Sequence, residues 1–215
     1  MTFVYVAFAA IVVIIIAAFA IVNLQQQHEV AVANATPTPG PNATASPIQL
    51  VTNVAVGAPA FPNPMKADPR PGLPIDGITC LTAEQTVLHI HSHLALFVNG
   101  RQLQIPAFIG IEPVPPQGCL YWLHTHDATG IIHIESPQLN APGGGPFTLG
   151  MFFDIWGQPL TSTDVAGKRG QVTAFVNGLQ WHGDPREIPL GAHQQITLEV
   201  GKVVPPPNYT FPPGV

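Results

Sequence analysis

The run LHIHSHLALFVNG, residues 88–100, constrains the fold more than any other stretch of this chain. Side chains of a β-strand alternate between its faces. From Leu88 to Val98 that alternation puts Leu88, Ile90, Leu94, Leu96 and Val98 on one side and His89, His91, His93 and Phe97 on the other. Asn99-Gly100 follows, a dipeptide that accepts positive φ at both central positions of a tight hairpin turn, and RQLQIPAFIGI returns as the partner strand. The pattern recurs in QVTAFVNGLQ, residues 171–180, and AHQQITLEVG supplies a further strand. The two Phe-Val-Asn-Gly blocks reflect either an internal duplication or shared turn chemistry.

One segment breaks the strand rhythm. In PFTLGMFFDIWGQPL, residues 146–160, Leu149, Phe152, Phe153 and Trp156 recur at helical spacing between Pro146 and the stop at Gly157 and Pro159. The reading is one short amphipathic helix whose aromatic side seals a core, in preference to a cofactor box. The 215 residues include 25 Pro and 20 Gly, and only 9% are charged, a profile of short strands and many turns. The expected fold class is therefore mainly β, a sandwich or half-open barrel with one short inserted helix. With a net charge of -5 and only seven Lys and Arg, the chain lacks the electrostatic footprint of a nucleic-acid binder.

Thr2 to Val22 carries no charge, Pro or Gly. As a helix it would reach about 31 Å, the thickness of a bilayer core. The expectation is a single transmembrane anchor over 1–24 that attaches the protein to the membrane. A cleaved signal peptide is the alternative, with Ala31-Val32-Ala33 as a small-x-small site, although the apolar run is long and lacks a basic leader. Residues 25–77 read as a Pro/Thr/Ala-rich extracytoplasmic linker, 78–204 as a His-rich β domain, and 205–215 as a Pro-rich C-terminal tail. Cys80 and Cys119 are an even pair suited to one disulfide in an exported domain, with two buried free thiols as the other possibility.

The second histidine segment is LHTHDATGIIHIES, residues 123–136. If Asp127-Ala128-Thr129-Gly130 is a turn, His124 opposes His133 and Trp122 opposes Glu135. Trp122, His124, His126, His133 and Glu135 then share a face, while Leu123, Thr125, Ile132 and Ile134 share the other. Residues two apart on a strand are separated by about 6.6 Å, close enough for two imidazoles to meet one ion. The candidate metal ligands are thus His89, His91, His93, His124, His126 and His133. Asp127 and Glu135 could ligate or orient an imidazole from behind, and Asp127 also suits the start of a turn. Imidazoles that each charge below pH ~6.5 would repel when clustered, and a metal ion removes that conflict. A hydrogen-bonded structural cluster and a pH-responsive surface are the rival readings. His28 lies beside the apolar run, and His182 and His193 form a weaker second region.

Imidazole donors suit Zn, Cu, Ni or Fe, while an added carboxylate shifts the balance toward Zn or non-haem Fe. No blue-copper loop, serine-nucleophile elbow or complete cupin ligand set accompanies them. HIHSHLALFVNG, CLYWLHTHDATGIIHIESP and FTLGMFFDIWG together resemble a group of uncharacterised prokaryotic exported or membrane-anchored His-rich β-domain proteins, over roughly residues 78–201. The resemblance implies an extracytoplasmic location and no particular activity. The reading that follows is a membrane-anchored domain binding Zn or Cu, non-enzymatic and accessory to a larger membrane complex. A metal-dependent hydrolytic or redox enzyme with an open three-His site, and a metal-free assembly subunit, are the alternatives.

Overall fold

The computed structural model describes residues 49–50, 54–66, 72–113 and 118–215. The apolar run expected to anchor the chain, the first part of the linker and His28 lie outside the described residues. No helix among the described residues is long and apolar enough to cross a membrane.

In chain order the strands are β1 (Gln49–Leu50), β2 (Cys80–Leu81), β3 (Leu88–Val98), β4 (Arg101–Leu103), β5 (Ile111–Glu112), β6 (Cys119–Tyr121), β7 (Leu123–His124) and β8 (Ile131–Ser136). Helix α1 (Leu149–Trp156) follows, then β9 (Asp164–Val165), β10 (Lys168–Arg169), β11 (Val172–Val176), β12 (Leu179–Trp181), β13 (Gln194–Val200) and β14 (Asn208–Tyr209). The main sheet runs β12-β11-β13-β3-β8-β7, with β4 also paired to β3. A second sheet has the order β2-β6-β5. The fold is mainly β with one short helix, and its sheets do not close into a barrel among the described residues.

The long strand β3 organises the sheet. Along one edge it pairs antiparallel with β8 from Leu88 to His93 and with β4 from Leu96 to Val98, and its other edge takes β13 in parallel. Both Asn-Gly turns form as expected: Asn99 and Gly100 have φ of 51° and 79°, and Asn177 and Gly178 have 51° and 80°. The main core gathers Leu94, Leu96, Leu123, Ile132, Ile134, Ile196 and Leu198 against Phe152, Phe153 and Trp156 of α1. Thr148 caps α1 by accepting from the Met151 N–H, and Gly157 ends it in the left-handed region at φ 69°. The helix therefore starts at the threonine cap, two residues beyond the proline. Arg186 pairs with Asp154 and ties α1 to the segment before β13.

Cys80 and Cys119 form the disulfide, spanning 39 residues and joining β2 to β6. A closed loop of that size stabilises the fold by ~3–4 kcal/mol in the chain-entropy model. Chain outside residues 78–204 also packs on the domain. Phe61 meets Trp156 edge-on at 5.1 Å, and Tyr209 of β14 stacks on His93 at 3.8 Å.

On β13, Ile196, Leu198 and Val200 enter the main core, so Gln195, Thr197 and Glu199 face the other way. Glu199 is 0% exposed, and among the described residues only one of its oxygens is satisfied: Oε2 accepts from the Val204 N–H at 2.9 Å, while Oε1 has no hydrogen-bond partner there. Burial pushes the carboxyl up to about 7, partly offset by the Val204 N–H. Between pH 4.5 and about 7 the folded chain keeps this proton and the unfolded chain does not. Stability is therefore lost as pH rises through that window. Glu199→Gln is expected to raise the melting temperature at pH 8 and flatten this slope, as calorimetry from pH 4.5 to 8 would show. An unchanged slope would contradict the assignment.

Candidate metal centre

The site is built across β3, β8 and β7. Register places His91 opposite His133 and His133 opposite His124, a row of three imidazoles over three neighbouring strands. One step along, His89 lies opposite Glu135. The Glu135 N–H donates to the Trp122 carbonyl at 2.8 Å, as the expected hairpin register requires. Thr125 turns to the other side, where its hydroxyl donates to the Pro106 carbonyl.

Side-chain atoms converge on this row. His91 Nε2 lies 3.1 Å from His133 Nδ1, and His124 Nε2 lies 3.2 Å from His126 Nε2. Glu135 Oε1 lies 3.0 Å from His133 Nδ1 and 3.4 Å from His89 Nε2, while Oε2 lies 3.8 Å from His124 Nε2. A tetrahedral ion with ligand bonds of ~2.0–2.1 Å sets its donors about 3.4 Å apart, the range seen here. Two groups of donor atoms, each lying within 4.8 Å of one another, could hold an ion: His124, His126, His133 and Glu135, and His89, His91 and Glu135. Five of the six expected histidines, with Glu135, are thus brought together.

His93 is the exception. It opposes Ile131 one step further along, its Nε2 lies 3.1 Å from the Thr129 carbonyl, and its ring stacks flat on Tyr209. It belongs to neither donor group. Asp127 occupies the turn: its Oδ1 accepts from the Thr129 N–H at 2.9 Å, and the side chain is exposed. Gly130 completes that turn at φ 91°, where a Cβ would stand 2.4 Å from the Leu94 carbonyl oxygen. Any side chain there would push the hairpin off β3. His182 is exposed; His193 stacks its ring on Phe211 and donates its backbone N–H to the His91 carbonyl, and neither belongs to a donor group.

Three participants carried no signal in the sequence. Glu84, in the loop before β3, reaches His126 Nε2 at 3.1 Å. Tyr121 offers its backbone carbonyl to His124 Nδ1 at 2.9 Å, and Tyr209 draws His93 aside. None has a spacing that sequence alone could reveal.

The Tyr121 carbonyl decides the chemistry of His124. A carbonyl only accepts, so Nδ1 carries the proton and Nε2 of the neutral ring presents a bare lone pair to the cluster. Burial pulls His124 down to about 4, and the nearby His133 and His126 add to this against the opposing pull of Glu135. Burial likewise takes His91 down to about 4, followed by its neighbours His133 and His89. Burial pushes the Glu135 carboxyl up. The hydrogen bond from His133 and the fields of His124, His133 and His89 outweigh that and hold it below the usual range. An ionised carboxylate therefore faces a bare imidazole nitrogen. Glu135 is 2% exposed, and its Oε2 has no hydrogen-bond partner among the described residues.

Comparison with protein-family models, curated proteins and solved structures returns no match.

In the metal-free chain, nitrogen-detected NMR of the imidazoles is expected to show His124 as the Nδ1–H tautomer, still neutral at pH 5.5. The unfolded chain takes up the proton near 6.5 while the folded ring waits until about 4. This group thus removes stability as pH falls through that window. An Nε2–H signal for His124, or a charged ring at pH 5.5, would contradict the assignment.

Proposed function

We propose that this protein binds a transition-metal ion, Zn or Cu, at the β3-β8-β7 histidine row, and that binding is its function. The observation that carries the proposal is the pairing of Glu135 Oε2 with His124 Nε2. Both are buried acceptors, they lie 3.8 Å apart, and no proton stands between them. His126 can donate its Nε2 proton to His124 or to Glu84, but among the described residues no hydrogen bond reaches Oε2. Leaving such a carboxylate unmatched is costly, and a cation beside it satisfies both atoms. Imidazole nitrogens with one carboxylate oxygen are donors that zinc and copper accept.

Binding, rather than catalysis, is supported by the inner donor group, in which four protein donors suffice to complete a tetrahedral ion. One surface depression is lined by Gly77, Trp122 and the chain from Gln138 to Gly144, and another by Pro74, Asp76 and Asp154 with their neighbours. Neither contains an imidazole. His89 and His126, 44% and 43% exposed, give an ion a way in from solvent.

The uncharged run Thr2 to Val22, the Pro-rich stretch after it and the Cys80–Cys119 disulfide support a second part of the proposal. The domain sits outside the cytoplasm on a single-span anchor, as an accessory subunit of a larger membrane complex. Full-length protein without an affinity tag is expected to stay with membranes through a carbonate wash and to carry stoichiometric Zn or Cu by elemental analysis. His124→Ala and Glu135→Gln should each lose the metal, and chelator should lower the melting temperature of the wild type by several degrees. Metal-free protein indifferent to added zinc or copper would refute the binding function. Release of intact chain by carbonate would refute the anchor alone.

A further inference from the structure

The row holds more donors than one ion can use. Structural zinc sites are four-coordinate, yet five imidazoles and a carboxylate meet here. They divide along the strands. His89 and His91 project from β3, His133 and Glu135 from β8, and His124 from β7, with His126 just beyond it. Adjacent strands are about 4.8 Å apart, so β3 and β7 are separated by about 9.6 Å, and one ion bonded to both would be stretched across the middle strand. Two ions, one over each strand gap, face no such stretch.

Resting on the metal-binding reading above, we infer that the row is a two-ion centre bridged by Glu135. The two donor groups have Glu135 in common and no other residue. Its oxygens face apart as a bridge requires: Oε1 lies 3.4 Å from His89 Nε2 on the β3 side, and Oε2 lies 3.8 Å from His124 Nε2 on the β7 side. Carboxylate-bridged ion pairs stand ~3.5–4 Å apart, a span the two oxygens of one carboxylate can serve.

The two positions differ in character. The inner ion takes His124, His126, His133 and Glu135, four protein donors that include the fully buried His124. The backbone carbonyl of Tyr121 fixes that ring from behind, which holds a ligand in its binding tautomer. The outer ion takes His89, His91 and Glu135, only three protein donors. A three-donor site completes its coordination with water and exchanges its ion readily. The inner ion is the resident one, and the outer ion is a divalent transition-metal ion in transit between this domain and solvent or a partner.

The test is zinc titration of the metal-free full-length chain, followed by calorimetry and by elemental analysis after dialysis. Wild type is expected to bind two zinc ions in two steps, with the first surviving dialysis and the second removed by a weak chelator. His89→Ala should weaken the second step at least tenfold and leave the first unchanged. Because His89 is at the exposed rim, this variant keeps the fold, and an unchanged melting temperature in excess chelator checks that it does. Glu135→Gln should weaken both steps. A single zinc per wild-type chain, with His89→Ala unchanged, would overturn the two-ion centre and leave metal binding standing. No zinc at all would overturn both.

Discussion

A carboxylate buried among imidazoles sets the terms for this structure. Glu135 is 2% exposed on the middle strand of three, and the neighbours that hold it ionised are rings that burial itself tends to keep neutral. Such a charge is tolerated in an interior only when it is matched and its lone pairs are used. His133 uses one oxygen, while the other faces His124 across 3.8 Å and takes no hydrogen bond from the described residues. A cation at that point would turn an electrostatic liability into an interaction that joins β8 and β7. Without one, the row would be a local source of instability in a well-packed sheet.

The rest of the fold serves that row through two faces. On one face, Leu94, Leu96, Ile132 and Ile134 pack against α1 and fix the strand register, since a slip of one residue would swap core and histidine sides. On the other, the strands present His89, His91, His133 and Glu135 in cross-strand pairs. The disulfide acts on the same place from outside the main sheet. It joins β2 to β6, and β6 ends at Tyr121, whose carbonyl sets the tautomer of His124 and whose hydroxyl donates to the Leu73 carbonyl. Covalent closure of the small sheet thereby holds the backbone that aims one imidazole.

Much of this was legible in the chain because it is written in local periods. Alternation over Leu88–Val98 and around Asp127–Gly130 set the His124–His133 pairing and the place of Glu135 opposite Trp122. The two Asn-Gly turns, the aromatic spacing of α1 and the Cys80–Cys119 bridge were open to the same kind of reading. The remainder depends on which distant segments become neighbours. Nothing local says that β13 joins β3 in parallel, and so nothing foretells the burial of Glu199. His93 has the same spacing as its fellow histidines, yet Tyr209, from a stretch that reads as a free Pro-rich tail, stacks on it and removes it from the row. Strand number and turn frequency pointed to a sandwich or half-open barrel without choosing between them, because that choice depends on edge pairing, which those features do not encode.

The central claim is that a cation sits between His124 Nε2 and Glu135 Oε2. Anomalous diffraction at the metal absorption edge, from crystals of the zinc- or copper-loaded protein, tests it most directly. A peak within about 2.2 Å of both atoms is what the claim predicts. Metal density that lies only elsewhere, at His193 or His182 for example, with Glu135 and His124 unshifted and unligated, would contradict it.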